Sequence, residues 1–519
     1  MHWKYPHKNT QFGDIKMGLD PVTKFIIKVV ISIYSYSQQR KAQKRAERQA
    51  RAARSNVLVN KQSNNDPIYP LYGRQRMGGT RVLIECSDGA GNVQETTVPD
   101  PAEPDKTEVT NTTHLNLVLA MAEGEIDTIE QLWFNDKIVW DVADGGTLTD
   151  NGNGGKTLSG FTSGNQYSGA SMTINWYPGS LTQTYDTAMN TSVGSVWSTN
   201  HELKGISYLA MTLVANGDKF GGQLPTFTAT MTGKKMLDVS TLVNGDTLAD
   251  MTPANYTASA NQNPADILYD YLIDRYYGKG LDRDENENWV AGLNIDLASF
   301  QQARLDCDAS RTGLGYNLNG FLQTERQLFD NIGEIMETCN GMILFVDGKY
   351  QFRIRKKNEQ VGIPTSAIFT QDEIIGEVSL SLPSKSRKLN KATGVFNNPL
   401  TKYNDDLVIF KDDAYIAQDN GSVLETQEDY TMITDQDQVL DLITQQVEMS
   451  RDEYTIQMTV AHVALLLRSG DIIEVRLDDF GWGTGAGQTQ KFWRVQELKL
   501  TEDNTVQMVA TTYNSALEL

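Results

Sequence analysis

The chain has 519 residues, room for three or four domains with cores of their own, and its 39% hydrophobic and 22% charged content excludes wholesale disorder. A formal net charge of −20 excludes a general nucleic-acid binder, because an acidic surface repels phosphate at long range. Three widely spaced cysteines (Cys86, Cys307, Cys339) imply no disulfide framework and fit folding in a reducing compartment; five histidines and no C-x-x-C pair leave no zinc signature.

Residues 1–66 read as an arm apart from the rest. Phe25–Tyr36 (FIIKVVISIYSY) is apolar but only twelve residues long and broken by Lys28, too short for a bilayer span of about 20 residues. It starts late and no small-residue cleavage site follows, so it is not a standard signal peptide. Arg40, Lys41, Lys44, Arg45, Arg48, Arg51 and Arg54 then set seven cations against Glu47, spaced by Ala and Gln. This predicts one long helix over 20–54, greasy first and basic later, docked on an acidic neighbour or lying on an anionic membrane surface. Asn60–Asp66 reads as a linker.

Abundant Gly (42), scarce Pro (14) and many short Val/Ile/Thr/Tyr runs favour β structure beyond the arm. Ile68, Leu71, Val82 and Ile84 read as strand residues about a Gly78-Gly79 turn. Leu115–Ala122 is apolar enough for a strand buried on both faces, and Ile126–Trp140 for two strands hinged at Asn135-Asp136-Lys137. Asp144–Gly155 reads as an exposed loop; its Asp144, Asp150, Asn151 and Asn153 lack the spacing of a calcium loop. Further strands are expected at Met172–Tyr177, Ile206–Val214 and Thr226–Thr232.

Asn263-Pro264 predicts a capped helix start, Ile267, Leu268, Tyr271, Leu272 and Tyr276 one apolar face, and Gly278 and Gly280 its end. Asp282, Asp284, Asn286 and Asn288 alternate like calcium ligands, but Gly is missing at the sixth position and Glu at the twelfth, so a solvated loop is the reading. Thr324 with Gln327 predicts a capping box for a helix carrying Leu328, Phe329, Ile332, Ile335, Met336 and Cys339, with Cys339 a core residue. A hairpin turning at Asp347-Gly348 comes next. From Tyr403 to Glu453, fourteen acids face Lys411 and Arg451, with one helix suggested by Val439, Leu440, Ile443 and Val447. That balance predicts a solvated face or a seat for a neighbouring subunit's basic arm. From Thr455 the pattern is again β, with a hairpin turning at Glu502-Asp503-Asn504 and a Gly481–Gly487 loop between strands that is no phosphate cradle.

Several segments, in order, carry a resemblance: YGRQRMGG (72–79), LNLVLAMAEGEID (115–127), IEQLWFND (129–136), INWYPGSLTQ (174–183), HELKGISYLAMTL (201–213) and FGGQLPTFTATMTG (220–233). NPADILYDYLIDRYYGKGLD (263–282) is the closest match, followed by LSLPSKSRKLNKATGVFNN (380–398) and LLLRSGDIIEVRLDDFGWG (465–483). Together they resemble the hub portion of the tip-attachment (host-specificity) proteins of lambda-like siphophage tails, from about Pro67 to Tyr513.

The resemblance implies a β-rich α+β chain: a helical arm (1–66), a first tube-like β domain with an insertion (67–245), a mixed α/β domain (246–365), a second tube-like β domain (366–402 and 455–519) and an acidic inserted domain (403–454). It implies a homotrimer, two tube-like domains per subunit imitating a six-fold ring, joined to the tail tube or distal tail protein above and to fibre or receptor-binding proteins below. Contact with the tape-measure protein, opening for DNA ejection, assembly in the host cytoplasm and residence at the virion tail tip are further expectations, as is transient contact with host membrane or passing DNA. Net acidity suits a conduit wall that must not hold that DNA, and the arm then reads also as a helix in the tail lumen. The family continues into fibre-like domains where this sequence stops, so receptor binding is expected of a partner. No G-x-S-x-G, H-E-x-x-H or P-loop appears, and no catalytic, cofactor or metal residue is named. A receptor-binding adhesin and a tail-associated cell-wall hydrolase are the other readings.

Overall fold

The computed structural model describes residue 60 and residues 67–92, 114–214, 219, 224–256, 262–354, 367–381, 388–452, 454–468, 470–501 and 503–513. The helix expected over 20–54 lies outside the described residues.

The first β domain contains β1 (Leu71–Tyr72), β2 (Arg74–Gly78), β3 (Thr80–Ser87), β4 (His114–Glu123), β5 (Ile126–Phe134), β6 (Lys137–Asp141), β7 (Thr147–Asp150), β8 (Lys156–Ser159), β9 (Met172–Tyr177), helix α1 (Thr187–Val193), β10 (Ile206–Val214) and β11 (Phe227–Lys234). One sheet runs β3-β4-β10-β9-β8-β7 and the other β2-β11-β5-β6. Leu117, Leu119 and Met121 of β4 enter a core with Ile129, Trp140, Leu209, Phe227 and Met231. Val118, on the opposite face, lies in a second cluster with Met189, Val193, Trp197 and Tyr208. The strand is therefore covered on both sides, which explains its unbroken apolar run.

Gly78-Gly79 is not a hairpin turn. β2 pairs with β11 and β3 with β4, so the chain crosses there from one sheet to the other. A Cβ on Gly79 would stand 2.6 Å from Met121 Sδ and 2.8 Å from the Ala120 carbonyl, so the crossing has no room for a side chain. The Asn135-Asp136 turn is as expected, with Asn135 left-handed at φ 52°. Part of the segment expected as a loop at 144–155 is instead the edge strand β7, paired with β8.

The middle domain holds α2 (Pro264–Ile273), α3 (Leu297–Gly313), β12 (Gly320–Phe321), α4 (Leu328–Glu337), β13 (Gly341–Val346) and β14 (Lys349–Ile354). Asn263 caps α2 as expected, its Oδ1 accepting from Ala265 N at 2.9 Å. The helix ends earlier than its apolar pattern suggests. Asp274 accepts the amides of Tyr276 and Tyr277 and turns the chain out, leaving Tyr276 outside the helix and 85% exposed. Every residue from Pro264 to Leu272 is buried, not one face alone. Nor does a capping box form at α4: Gln327 itself is the cap residue and makes no side-chain cap bond.

The second β domain joins β15 (Ala367–Phe369) and β16 (Ser379–Ser381) to strands from beyond residue 454. Between them come β17 (Lys391–Asn398), β18 (Asn404–Lys411), α5 (Asp413–Gln418), β19 (Glu425–Tyr430) and α6 (Gln436–Asp452). β20 (Thr455–Val460), β21 (Ile472–Val475), β22 (Phe492–Leu500) and β23 (Val506–Thr512) follow, giving a sheet β15-β21-β22-β23-β20-β16 around Phe369, Ile456, Val475, Trp493 and Met508.

The segment that carries β17 reads from sequence as part of this second β domain. The strand pairs instead with β18 and in parallel with β19, in a three-stranded sheet under α6. Ala392, Phe396, Val439 and Ile443 share a single core with α2, α3 and α4, so this α/β unit and the middle domain form one packed body. Its acids are partly neutralised inside: Asp419 meets Arg451 at 2.7 Å and Asp435 meets Arg311 at 2.7 Å.

Gly79→Ala is expected to destabilise the first β domain by about 1–3 kcal/mol, since the added methyl overpacks a closed corner. Urea unfolding monitored by tryptophan fluorescence measures it; an unchanged midpoint would mean that the corner can relax.

Candidate functional site

A set of polar contacts lies where three parts of the chain meet, and residues 72–79 run through it. β1 pairs with β12 of the middle domain, while β2 pairs with β11 of the first β domain. Between them Gly73 sits at φ +63°, and a Cβ there would fall 2.1 Å from the Leu318 carbonyl. Only glycine fits so close an approach in a left-handed conformation. Tyr72, fully buried, donates its hydroxyl to Asp270 Oδ2 at 2.7 Å.

Strand alternation then places Met77 in the core of the first β domain and turns Arg74 and Arg76 the other way. Arg74 bonds Glu130 at 2.6 Å and the Tyr403 hydroxyl at 3.0 Å. Burial opposes its charge, but Tyr403 and Glu130 outweigh this and raise its pKa. Arg76, only 4% exposed, lies 4.3 Å over the Trp133 ring and donates to Thr228 Oγ1, the Asn135 carbonyl and the Lys402 carbonyl. Burial lowers its pKa despite Asp136. Lys402 and Tyr403, successive left-handed residues at φ 62° and 64°, are thereby held against the first β domain.

Lys234, the last residue of β11, reaches into the same junction. Its Nζ lies 2.9 Å from Asp270 Oδ2, 2.8 Å from the Tyr277 hydroxyl and 4.0 Å from Asp274, with 16% of the side chain exposed. Burial by itself would lower the ammonium pKa; Asp270 and Tyr277 more than reverse this and raise it. Burial, then Asp270, raises the Tyr72 hydroxyl. Half-buried Glu123 is raised by burial and by the nearby Asp274. The cluster is a charged rivet between β11 and α2. Its donors and acceptors are matched to one another.

The other joints are also polar. Gln438 of α6 donates to the carbonyls of Asn317 and Thr338, and Gln445 to the Tyr316 hydroxyl at 2.9 Å. The second β domain meets the middle domain through Arg353–Asp471 at 3.1 Å and Arg468–Asp347 at 2.9 Å. A cleft of about 350 Å³ between them is lined by Arg353, Arg468, Arg494, Asp296 and Asp306.

The residues weighed as calcium ligands have other work. Asp282 is fully buried and accepts from Gly292 N, Asn294 N, Ile295 N and the Tyr269 hydroxyl. Asp284 accepts the amides of Asn286 and Asn288. Asp150 and Asn151 likewise accept turn amides, and Asn153 donates to Thr187. Among the described residues no group of three or more His, Cys, Asp or Glu is placed to hold a metal. The Gly481–Gly487 loop comes after a short turn and leads into β22, with no helix after it. No helix among the described residues is long and apolar enough to cross a membrane. The junction residues Tyr72, Lys234 and Asp270 do not stand out in the sequence. The signal they leave there is an acid inside an apolar helix and a lysine closing an apolar strand.

The cluster sets two expected outcomes. Lys234→Met leaves Asp270 buried without its cation and is expected to cost about 3–5 kcal/mol in chemical unfolding, more than Tyr277→Phe. Glu123→Gln is expected to stabilise the protein at neutral pH. A raised carboxyl pKa means stability is present when the group is protonated and lost as pH rises through its folded pKa. The gain over the parent therefore vanishes below about pH 4, where the parent is protonated both folded and unfolded. Unfolding midpoints at pH 4 and pH 7 check this.

No family model matches the chain. It is 21% identical, over an alignment of 453 residues that covers 78% of this chain, to the baseplate hub protein pb3 of Escherichia phage T5, and spans 45% of that protein. A solved chain from the virion of the native gene transfer agent particle superposes with a TM-score of 0.53 at 15% identity, covering 88% of this chain and 87% of that one. A tail protein from Neisseria meningitidis MC58 covers 87% of the chain at a TM-score of 0.31 and 9% identity, too loose a superposition to carry weight. The β-rich multidomain fold is thus one found in a virion, and the chain is similar in sequence to a phage baseplate hub protein; neither comparison singles out the tip-attachment proteins of lambda-like tails.

Proposed function

We propose that this chain is a structural hub of the tail tip, or baseplate, of a long-tailed bacteriophage, akin to the hub portion of a tip-attachment protein. The observation that carries the reading is the 453-residue similarity to a baseplate hub protein, supported by a shared fold over 88% of the chain. A structural role is supported by the polar cluster at Tyr72, Lys234 and Asp270, which ties domains together.

In this reading three copies form the hub, and their two β domains apiece present six similar units to a six-fold tail tube or distal tail protein. The hub closes the tube, meets the tape-measure protein, carries fibre or receptor-binding proteins, and opens for DNA ejection. The reading makes the chain a structural protein and not an enzyme.

Gold-labelled antibody against this chain, viewed by electron microscopy on intact virions, is expected to mark the end of the tail alone. Label along the tail shaft, on the head, or nowhere on the particle would overturn the proposal.

A further inference from the structure

β18 is the outer strand of the sheet β18-β17-β19, and among the described residues no strand pairs along its far side. Its side chains alternate between two faces. Val408 and Phe410 turn to α6 and pack with the core that holds Val439 and Ile443. Asp405, Leu407, Ile409 and Lys411 stand on the other face, where Leu407 is 58% and Ile409 56% exposed. Leu407 lies beside Val395 of β17, and Ile409 beside Thr393. The backbone follows the same parity. Asp412 N donates to the Asn390 carbonyl at 3.0 Å, one step past the Lys391–Lys411 pair. Even-numbered residues of β18 therefore turn their N–H and C=O groups to β17, and odd-numbered residues turn theirs to the open edge. Such an edge, eight residues long and apolar at its centre, is a template for a further strand.

We propose that β18 pairs antiparallel with β18 of a second copy of this chain, about a two-fold axis at Val408. That register sets Leu407 opposite the partner's Ile409 and Asp405 opposite the partner's Lys411, each pair occurring twice. All four are odd-numbered positions, so the backbone groups that meet are those turned to the open edge. The apolar pairs fill the centre and the opposite charges close both ends. Other axes fit less well. An axis at Leu407 sets Asp405 against the partner's Ile409. An axis at Ile409 sets Leu407 against the partner's Lys411 and Asp405 against the partner's Asp413. The far edge of the sheet, β19, carries Glu425, Glu428 and Asp429 with no cation, and would repel a copy of itself. Little is given up in the pairing. Lys411 leaves Asp413, an exposed ion pair at 2.6 Å, and the Leu407 amide exchanges the Asp406 carboxylate at 2.8 Å for a backbone carbonyl. The two three-stranded sheets become one of six strands with both α6 helices on the same face. A two-fold contact is not one of the contacts of a three-fold ring. The pairing therefore describes the free chain and does not rest on the hub reading.

The test uses the purified full-length chain and light scattering after gel filtration. A mass of two copies is expected at micromolar concentration. Asp405→Lys sets like charges against each other at both ends of the ladder and is expected to weaken association about ten-fold. Adding Lys411→Asp brings back opposite charges, and with them the two-copy mass. Both positions are exposed, so neither change disturbs the fold. Ile409→Lys, at the apolar centre, is expected to leave single copies. A mass of one copy or of three for the parent chain would overturn the pairing. So would a two-copy mass that Asp405→Lys leaves unchanged, or one that the double variant does not recover. A three-copy mass would end this proposal while favouring the proposed hub, so the two readings fail separately.

Discussion

An ammonium group held away from water must find compensating charge and hydrogen bonds, and Lys234 finds them on a different domain. Asp270 and Tyr277 belong to α2 and the turn after it, while the lysine ends a strand of the first β domain. Removing either partner while the domains stay packed would leave the other charge buried and uncompensated, at a cost of about 3–5 kcal/mol. That constraint ties the relative placement of β11 and α2 to electrostatics as well as to packing. Tyr72 adds a second donor to the same carboxylate, so the chain entering the first β domain is fixed to the same point.

The rest of the junction is arranged around this rivet. Gly73 allows the Leu318 carbonyl to approach closely, which lets β1 pair with β12 before the chain turns into β2. Arg74 and Arg76, on one face of β2, reach the loop at Lys402–Tyr403 and bring the α/β unit against the same strand. The α/β unit in turn shares its apolar core with the middle domain. Three parts of the chain are thus cross-braced through residues 72–79 and their partners. The second β domain is different: it meets the middle domain through ion pairs that include Arg353–Asp471 and Arg468–Asp347 beside a cleft, and its core is its own.

Buried ion pairs add less to net stability than an apolar contact of the same size, but they tolerate only one registration of the surfaces they join. The resemblance segments converge here: YGRQRMGG supplies Tyr72, Gly73, Arg74 and Arg76, FGGQLPTFTATMTG leads directly into Lys234, and NPADILYDYLIDRYYGKGL supplies Asp270 and Tyr277. In this fold they meet at one joint.

The sequence by itself determined the local elements. Alternation and apolar runs located β4, β10 and β23; Asn263-Pro264 located the start of α2; Asn135-Asp136 and Asp347-Gly348 located two turns. These are decided within a few residues by side-chain period, capping and left-handed propensity. Which strands share a sheet was decided elsewhere. Gly78-Gly79 looks locally like a turn, yet its flanking strands pair with β11 and β4, residues more than thirty positions away. Strand β17 reads as a continuation of the second β domain, yet its partners are β18 and β19. The end of α2 depended on one Asp274 side chain that competes with the helix for backbone amides. The junction itself is built from long-range contacts that no period encodes. A tyrosine, a lysine and an aspartate are each ordinary in sequence; only the packed chain makes them neighbours.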